Sequence, residues 1–384
     1  MTPASAPSDC SVSAPTKPPF VHGAYYPSWK IYRNQPPSSM DLDIISHVFY
    51  AFMRVNEDGT LHHLDEHADL HHPIPGHPLS PNGCLPSLAH LRSTTHPHLA
   101  LLLSLGGGSG SAPFPRLAAS PTARRTLATA IASFLSTHAL DGLDLDWEHP
   151  STPAAGRDFL ALLRALRAAL PRRLLLTCAL PAGEWCLRHV PLAEVAEVCD
   201  WVNLMCYDFA GGWTPKTGHH ARLYASPHRD AGDAYAGRSV HGAVEYVVGR
   251  GVGREKVCVG VPVYGRAFVG AGGAGEGFEG VGGGTGEGGC VEYRELPGEG
   301  AEGVVVDEEE VGAACVIRGR EWVSFDCPRT VAEKARYVRE RGLRGLFYWT
   351  GVADKEGEGS LLRAGYEGLY GRGSRGTGEG GFTS

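Results

Sequence analysis

Four carboxylic acids, Asp141, Asp144, Asp146 and Glu148, fall within eight residues and alternate with Leu143, Leu145 and Trp147. In an extended strand, successive side chains point to opposite faces. Asp144, Asp146 and Glu148 therefore share one face, while the leucines and the tryptophan share the other. Asp141 falls out of this alternation and reads as support for the strand end. Neighbours on one face lie about 6–7 Å apart, so three carboxylates repel strongly where water is excluded. Holding a proton relieves the repulsion and raises at least one carboxyl pKa. A carboxyl protonated near neutral pH is what general acid catalysis requires. Glu148 is the last of the three and nearest the C-terminal end of the strand, which makes it the candidate acid. A salt-bridged structural cluster or a Mg²⁺ site is the bland alternative, but nothing nearby suggests phosphate chemistry.

Such a strand needs a scaffold that shields one face and opens its end. Apolar runs rich in Val, Ile, Leu and aromatics occur at 21–26, 45–55, 98–105, 140–147, 173–179, 201–207, 257–263 and 343–349, as expected of strands buried on both faces. Helical periodicity fills several gaps, at 121–138, 157–170 and 330–341. Eight strands with intervening helices predict an α/β fold, a (β/α)₈ TIM barrel, with its chemistry at the C-terminal strand ends. The gap between the seventh and eighth runs is far longer than a barrel loop, and 15 of the 34 residues from 270 to 303 are glycine. This predicts a small α+β insertion between strands 7 and 8. The expected organisation is a disordered tail at 1–19, a catalytic barrel at 20–266 and 327–370, a Gly-rich insertion at 267–326 and a disordered tail at 371–384.

Composition narrows the function classes. The 384 residues carry a formal net charge of −7, which argues against a nucleic-acid partner. The longest strongly apolar stretch, 99–105, is too short to span a membrane. Residues 1–19 lack the basic and apolar segments of a secretory leader. The expectation is a protein that stays inside the cell, leaves it by an unconventional route, or starts further upstream. The ten cysteines form no CxxC pair, so buried free thiols are expected rather than a zinc ribbon or a disulfide framework. The glycines from 106 to 110 follow a strand but lack the lysine and spacing of a phosphate loop. They read as room for backbone to pass close to a site. Nine of the eighteen histidines lie between 62 and 98, in a polar, Pro-rich stretch that reads as a surface loop.

The acidic segment resembles the DxxDxDxE signature of glycoside hydrolase family 18, the chitinase family. Other segments match that family in order. Tyr25, Tyr26 and Trp29 lie in a first-strand segment, and Tyr50 and Phe52 in a second. Ser104, Gly106 and Gly107 resemble its SxGG motif, and Met205, Tyr207 and Asp208 its MxYD motif. Gly260, Tyr264 and Arg266 resemble its seventh-strand segment, and Trp349 falls where the family floors the reacting-sugar subsite. The stretch from Asp208 through Trp213 to Leu223 is similar to fungal members. The resemblance covers roughly residues 20–370.

The resemblance implies retaining, substrate-assisted hydrolysis of β-1,4-linked N-acetylglucosamine, in which the sugar's own acetamide oxygen is the nucleophile and an oxazolinium ion is the intermediate. In that scheme Glu148 protonates the leaving oxygen and then activates water. Asp146 orients the acetamide, Asp144 holds the partner proton, and Tyr207 hydrogen-bonds the acetamide. Asp208 and Arg266 hold the sugar over Trp349, with Tyr264, Trp213, Tyr26 and Trp29 as further substrate-binding residues. Trp185 and Trp322 read as packing residues, and His149 as either packing or leaving-group contact. The resemblance implies no metal or cofactor, a chitin or chitooligosaccharide partner, and a monomer. The alternatives are an endo-β-N-acetylglucosaminidase acting on N-glycan cores and a chitin-binding lectin on the same barrel. The retained Glu148 argues against the lectin.

Overall fold

In the computed structural model, eight parallel strands close on themselves: β1 (Val21–Pro27), β2 (His47–Val55), β3 (Ala100–Gly106), β4 (Gly142–Asp146), β5 (Leu175–Pro181), β6 (Trp201–Met205), β7 (Val257–Pro262) and β8 (Gly345–Trp349). The structure describes residues 20–74, 81–227, 235, 237–283, 287–317, 319 and 321–371. The two tails expected to be disordered lie outside the described residues, apart from Gly371. Closure comes from β1 pairing with both β2 and β8, which places Val21 opposite Gly345. The strands fall within a few residues of the predicted runs.

Helices cover the outside of the barrel. Pro121–Thr137 and Pro153–Ala169 start where Ser120 and Thr152 accept a backbone N–H and a proline takes the first turn, a favourable helix start. Their apolar stripes meet the outward faces of the strands. Leu143, Leu145 and Trp147 pack there with Phe159, Leu163 and Leu166. The inward faces contribute Tyr25, Phe49, Leu102, Trp201 and Phe347. After β1 the chain makes only the 3₁₀ turns Ser28–Arg33 and Pro37–Ser39 before β2. The histidine-rich stretch is partly tied to the core, since His63 Nδ1 lies 2.8 Å from the buried Asp69.

The insertion is a second, antiparallel sheet in the order Gly280–Val281, Tyr264–Val269, Glu321–Phe325, Gly312–Ile317 and Val305–Asp307, with Cys290–Glu292 also paired to Tyr264–Val269. Its helical content among the described residues is two short 3₁₀ turns. The sheet begins at Tyr264, three residues ahead of the expected boundary at 267. Tyr264 and Arg266 thus belong to the insertion's first strand. The glycine-rich part is mostly exposed where it is described, with an aromatic anchor. Phe278 meets Phe268 edge-on at 5.0 Å, beside Trp322, which is buried as expected.

Candidate active site

Strand register explains how the first acid is held. Asp144 on β4 lies opposite Ser104 on β3 and Thr177 on β5, so all three side chains project into the barrel at one level. Its Oδ2 accepts from Tyr25 Oη at 2.8 Å and Ser104 Oγ at 2.9 Å. Its Oδ1 accepts from Thr177 Oγ1 at 2.7 Å and Asn203 Nδ2 at 3.1 Å. The Asn203 amide is oriented by Trp201 Nε1, which donates to its Oδ1 at 2.9 Å. Burial pushes the Asp144 carboxyl up, and the four donors pull it back. Three of the four are hydroxyls, which can turn to accept from a protonated Asp144. The net direction is upward, as expected of a carboxyl that holds a proton for its neighbour.

Asp146, one strand repeat further on, is placed differently. It is buried, and its Oδ1 has no hydrogen-bond partner. Burial first, and then the charges of Glu148 and Asp144, push its pKa well above the usual carboxylate range. Repulsion among the three carboxyls thus favours a proton held within the cluster. Past the end of β4, Glu148 is pushed up to about 7 by burial and by the charge of Asp208, while a hydrogen bond from the Gly108 backbone pulls it down. Ser111 fixes this turn, accepting from the Glu148 N–H at 2.8 Å and donating to the Gly107 carbonyl at 2.9 Å. The loop beside it requires glycine. Gly106 has φ +114°, and a Cβ there would lie 2.3 Å from the Asp146 carbonyl oxygen.

Asp208 follows β6 in the left-handed region, at φ 59°. Arg266 grips it with two hydrogen bonds, Nε to Oδ1 at 2.9 Å and Nη2 to Oδ2 at 2.7 Å, and Tyr264 Oη donates to Oδ1 at 2.7 Å. Burial acts to raise its pKa, but the contacts with His220 and Arg266 hold the carboxyl well below the usual range. Asp208 is thus a fixed anion, whereas Glu148 is poised to exchange its proton. Tyr207 packs edge-on to Tyr264 at 6.2 Å. Gly260 makes room for it, since a Cβ there would lie 2.8 Å from the Tyr207 ring.

Two cavities meet at these groups. One, of about 560 Å³, is lined by Tyr25, Trp29, Phe52, Asp146, Tyr264 and Trp349, among others. The other, of about 600 Å³, is lined by His149, Trp185, Phe209, Trp213, Tyr235 and Arg238, among others. Glu148, Met205, Tyr207 and Asp208 line both, so the cavities form two halves of one cleft with the acid at the junction. In the first half, Phe52 stacks against Trp349 at 5.7 Å and against Trp29 at 6.2 Å, giving a row of three rings. Arg266, from the first half, lies 4.9 Å over the ring of Trp213 in the second. His149 Nε2 is 3.5 Å from Glu148 Oε2, and burial pushes the imidazole down to about 4, so it is neutral at physiological pH.

The structure brings together Asp144, Asp146, Glu148, Tyr207, Asp208, Tyr264, Arg266, Trp213, Trp29 and Trp349. It does not bring Tyr26 to the cleft. Tyr26 points outward from β1, is fully buried, and donates to the Gln35 carbonyl at 3.0 Å. The adjacent Tyr25 takes the inward place. Trp185 is 44% exposed at the cleft, edge-on to His149 at 5.4 Å, a rim position rather than a core one. Sequence reasoning also missed Phe52, Ser104 as a ligand of Asp144, Thr177 and Asn203. Alternation on β1 and β2 was a usable signal for Tyr25, but no local signal marks Thr177 or Asn203.

A family model described as glycosyl hydrolases family 18 matches residues 22–354. A relative named Chitinase 1, from Aphanocladium album, is 33% identical over 366 residues, covering 91% of this chain and 85% of its own. Among solved structures, the Group IV chitinase of Ostrinia furnacalis superposes with a TM-score of 0.81 at 27% identity, covering 91% of this chain and 99% of the other. A chitinase from Cycas revoluta in complex with (GlcNAc)3 gives a TM-score of 0.74 at 25% identity, covering 90% of this chain and 98% of its own. With a closed barrel, an acid at the end of β4 and a family match across most of its length, the chain belongs to glycosyl hydrolase family 18 and is a glycosidase.

Proposed function

We propose that the protein is a chitinase that hydrolyses β-1,4-linked N-acetylglucosamine chains with retention, using the substrate's acetamide as nucleophile. The observation that carries this reading is the division of labour among the carboxyls. Glu148 has a pKa of about 7, suited to giving and taking a proton. Asp144 is held by four hydrogen-bond partners, and Asp208 is bound by Arg266. Asp146 keeps a buried oxygen unpaired, and an acetamide N–H is the kind of donor that would satisfy it.

In this reading the reacting sugar sits over Trp349, and Glu148 protonates the glycosidic oxygen. The acetamide oxygen closes on the anomeric carbon, while Asp146, a carboxylate once the shared proton is on Asp144, accepts the acetamide N–H and balances the growing positive charge. Tyr207, which faces both halves of the cleft, donates to the acetamide. The leaving group departs past His149, Trp185 and Trp213. Glu148, now a carboxylate, draws a proton from the water that opens the oxazolinium ion from the same face. One chain supplies both halves of the cleft, which supports a monomeric enzyme.

The test is to digest N-acetylated chitin oligomers and read product length and initial anomer by chromatography. β-Anomeric products are expected. Initial α-anomers would remove substrate assistance, and cleavage confined to glycoprotein cores would favour the endo-β-N-acetylglucosaminidase.

A further inference from the structure

Lys30 lies on the Ser28–Arg33 turn after β1, and Glu292 ends the insertion strand Cys290–Glu292. Their charged ends meet in an ion pair, although 262 residues separate them. Arg33 Nη1 lies 3.2 Å from the same carboxylate oxygen, and Arg294 Nε lies 3.6 Å from the other. The Lys30 and Glu292 side chains are each only 12% exposed, so their attraction is screened less than that of an open surface pair.

The position of this contact gives it meaning. β1 and β7 are not neighbours, because β8 lies between them. The pair therefore joins the loop after β1 to the wall built on β7, passing across the end of β8, which carries Trp349. Lys30, Arg33 and Glu292 all line the Trp349 half of the cleft. The leaving group occupies the other half in the reading above, so the non-reducing part of a bound chain lies on this side.

We propose that the Lys30–Glu292 contact is an end wall for the non-reducing terminus, so that the enzyme cuts at a fixed distance from chain ends. This rests on the substrate reading above. A terminal sugar carries a free 4-hydroxyl, which can donate to Glu292 and accept from Lys30 or Arg33. An internal sugar carries its next neighbour at that oxygen and would collide with the wall.

The test uses the Glu148→Gln protein and two probes, N-acetylchitopentaose and the same oligomer with a bulky ether on its terminal 4-oxygen. With the pair intact, the capped probe should bind at least tenfold more weakly. Adding Glu292→Ala, or Lys30→Ala together with Arg33→Ala, should shrink the gap below threefold, because the two changes break one contact from opposite walls. Equal affinities with the pair intact, or a gap unchanged in both variants, would overturn the wall alone. No binding of the uncapped oligomer would overturn the substrate reading and the wall together.

Discussion

At Glu148 the chemistry and the stability of the fold pull in opposite directions. Replacing it with glutamine keeps the volume and removes the proton donor, so turnover should fall by about 10²–10⁴-fold while oligosaccharide binding persists, as steady-state kinetics and titration would show. Wild-type turnover would remove the acid role. The pKa of about 7 sets the direction of the pH response. The acid is competent when protonated, so kcat/KM should decline as pH rises through about 7. For stability, the folded protein holds this proton more tightly than the unfolded chain does, so the folded state loses stability as pH climbs from the ordinary glutamate range, near 4.5, to about 7. Glu148→Gln should therefore be more stable than the parent at pH 8, by on the order of 2 kcal/mol in urea unfolding, and equally stable near pH 4. An equal gap at both pH values would disconnect the effect from Glu148. Asp146→Asn should cut turnover on N-acetylated substrate severely, and near-normal rates would exclude acetamide assistance. The shared face of Asp144, Asp146 and Glu148 was legible in the sequence because period-2 alternation requires no knowledge of the rest of the chain, whereas the separate roles of the two aspartates came from the family resemblance. The partners that hold Asp144 were not legible, because Thr177 and Asn203 come from two other strands.

On the strands, adjacent residues have unrelated duties. Tyr25 and Tyr26 are chemically identical neighbours, yet one supports Asp144 and the other packs under the helices. Tyr25→Phe should lower kcat about tenfold or more, the loss of a hydrogen bond to a charged group, whereas Tyr26→Phe should leave kcat and KM unchanged. A reversed pattern would mean that β1 is out of register. The sequence reading chose Tyr26 because a strand read alone does not say which face is inside. Its pairing partner decides that, and Tyr25 lies opposite the inward Phe49. The junction after the insertion is equally specific. Asp326 is buried against Lys334 at 2.5 Å and accepts from Thr330 at 2.8 Å, which ties the end of the second sheet to the helix Pro328–Glu340. Lys334→Ala would strand a buried carboxylate and should cost about 3–5 kcal/mol in urea unfolding. A loss below 1 kcal/mol would show that water reaches Asp326.

Over the whole molecule, the barrel was readable from the order and spacing of eight apolar runs, because buried parallel strands need little context to declare themselves. The insertion was readable as a gap, while its antiparallel design and its Tyr264 starting point were not. Glycine-rich segments carry weak periodicity, and the pairing that orders them joins residues far apart in sequence. Two of the site's fixed groups, Tyr264 and Arg266, stand on that insertion, so the cleft is completed by the second sheet. The closing pair of strands carries a further consequence. Because Val21 is matched with Gly345, the first strand leaves the ribosome with one of its two edges unpaired, and it stays so until nearly the entire chain has been made. An unpaired strand edge invites association with other chains. Chains halted before residue 345 should collect in the insoluble fraction, and the full-length product should depend during synthesis on whatever shields that edge.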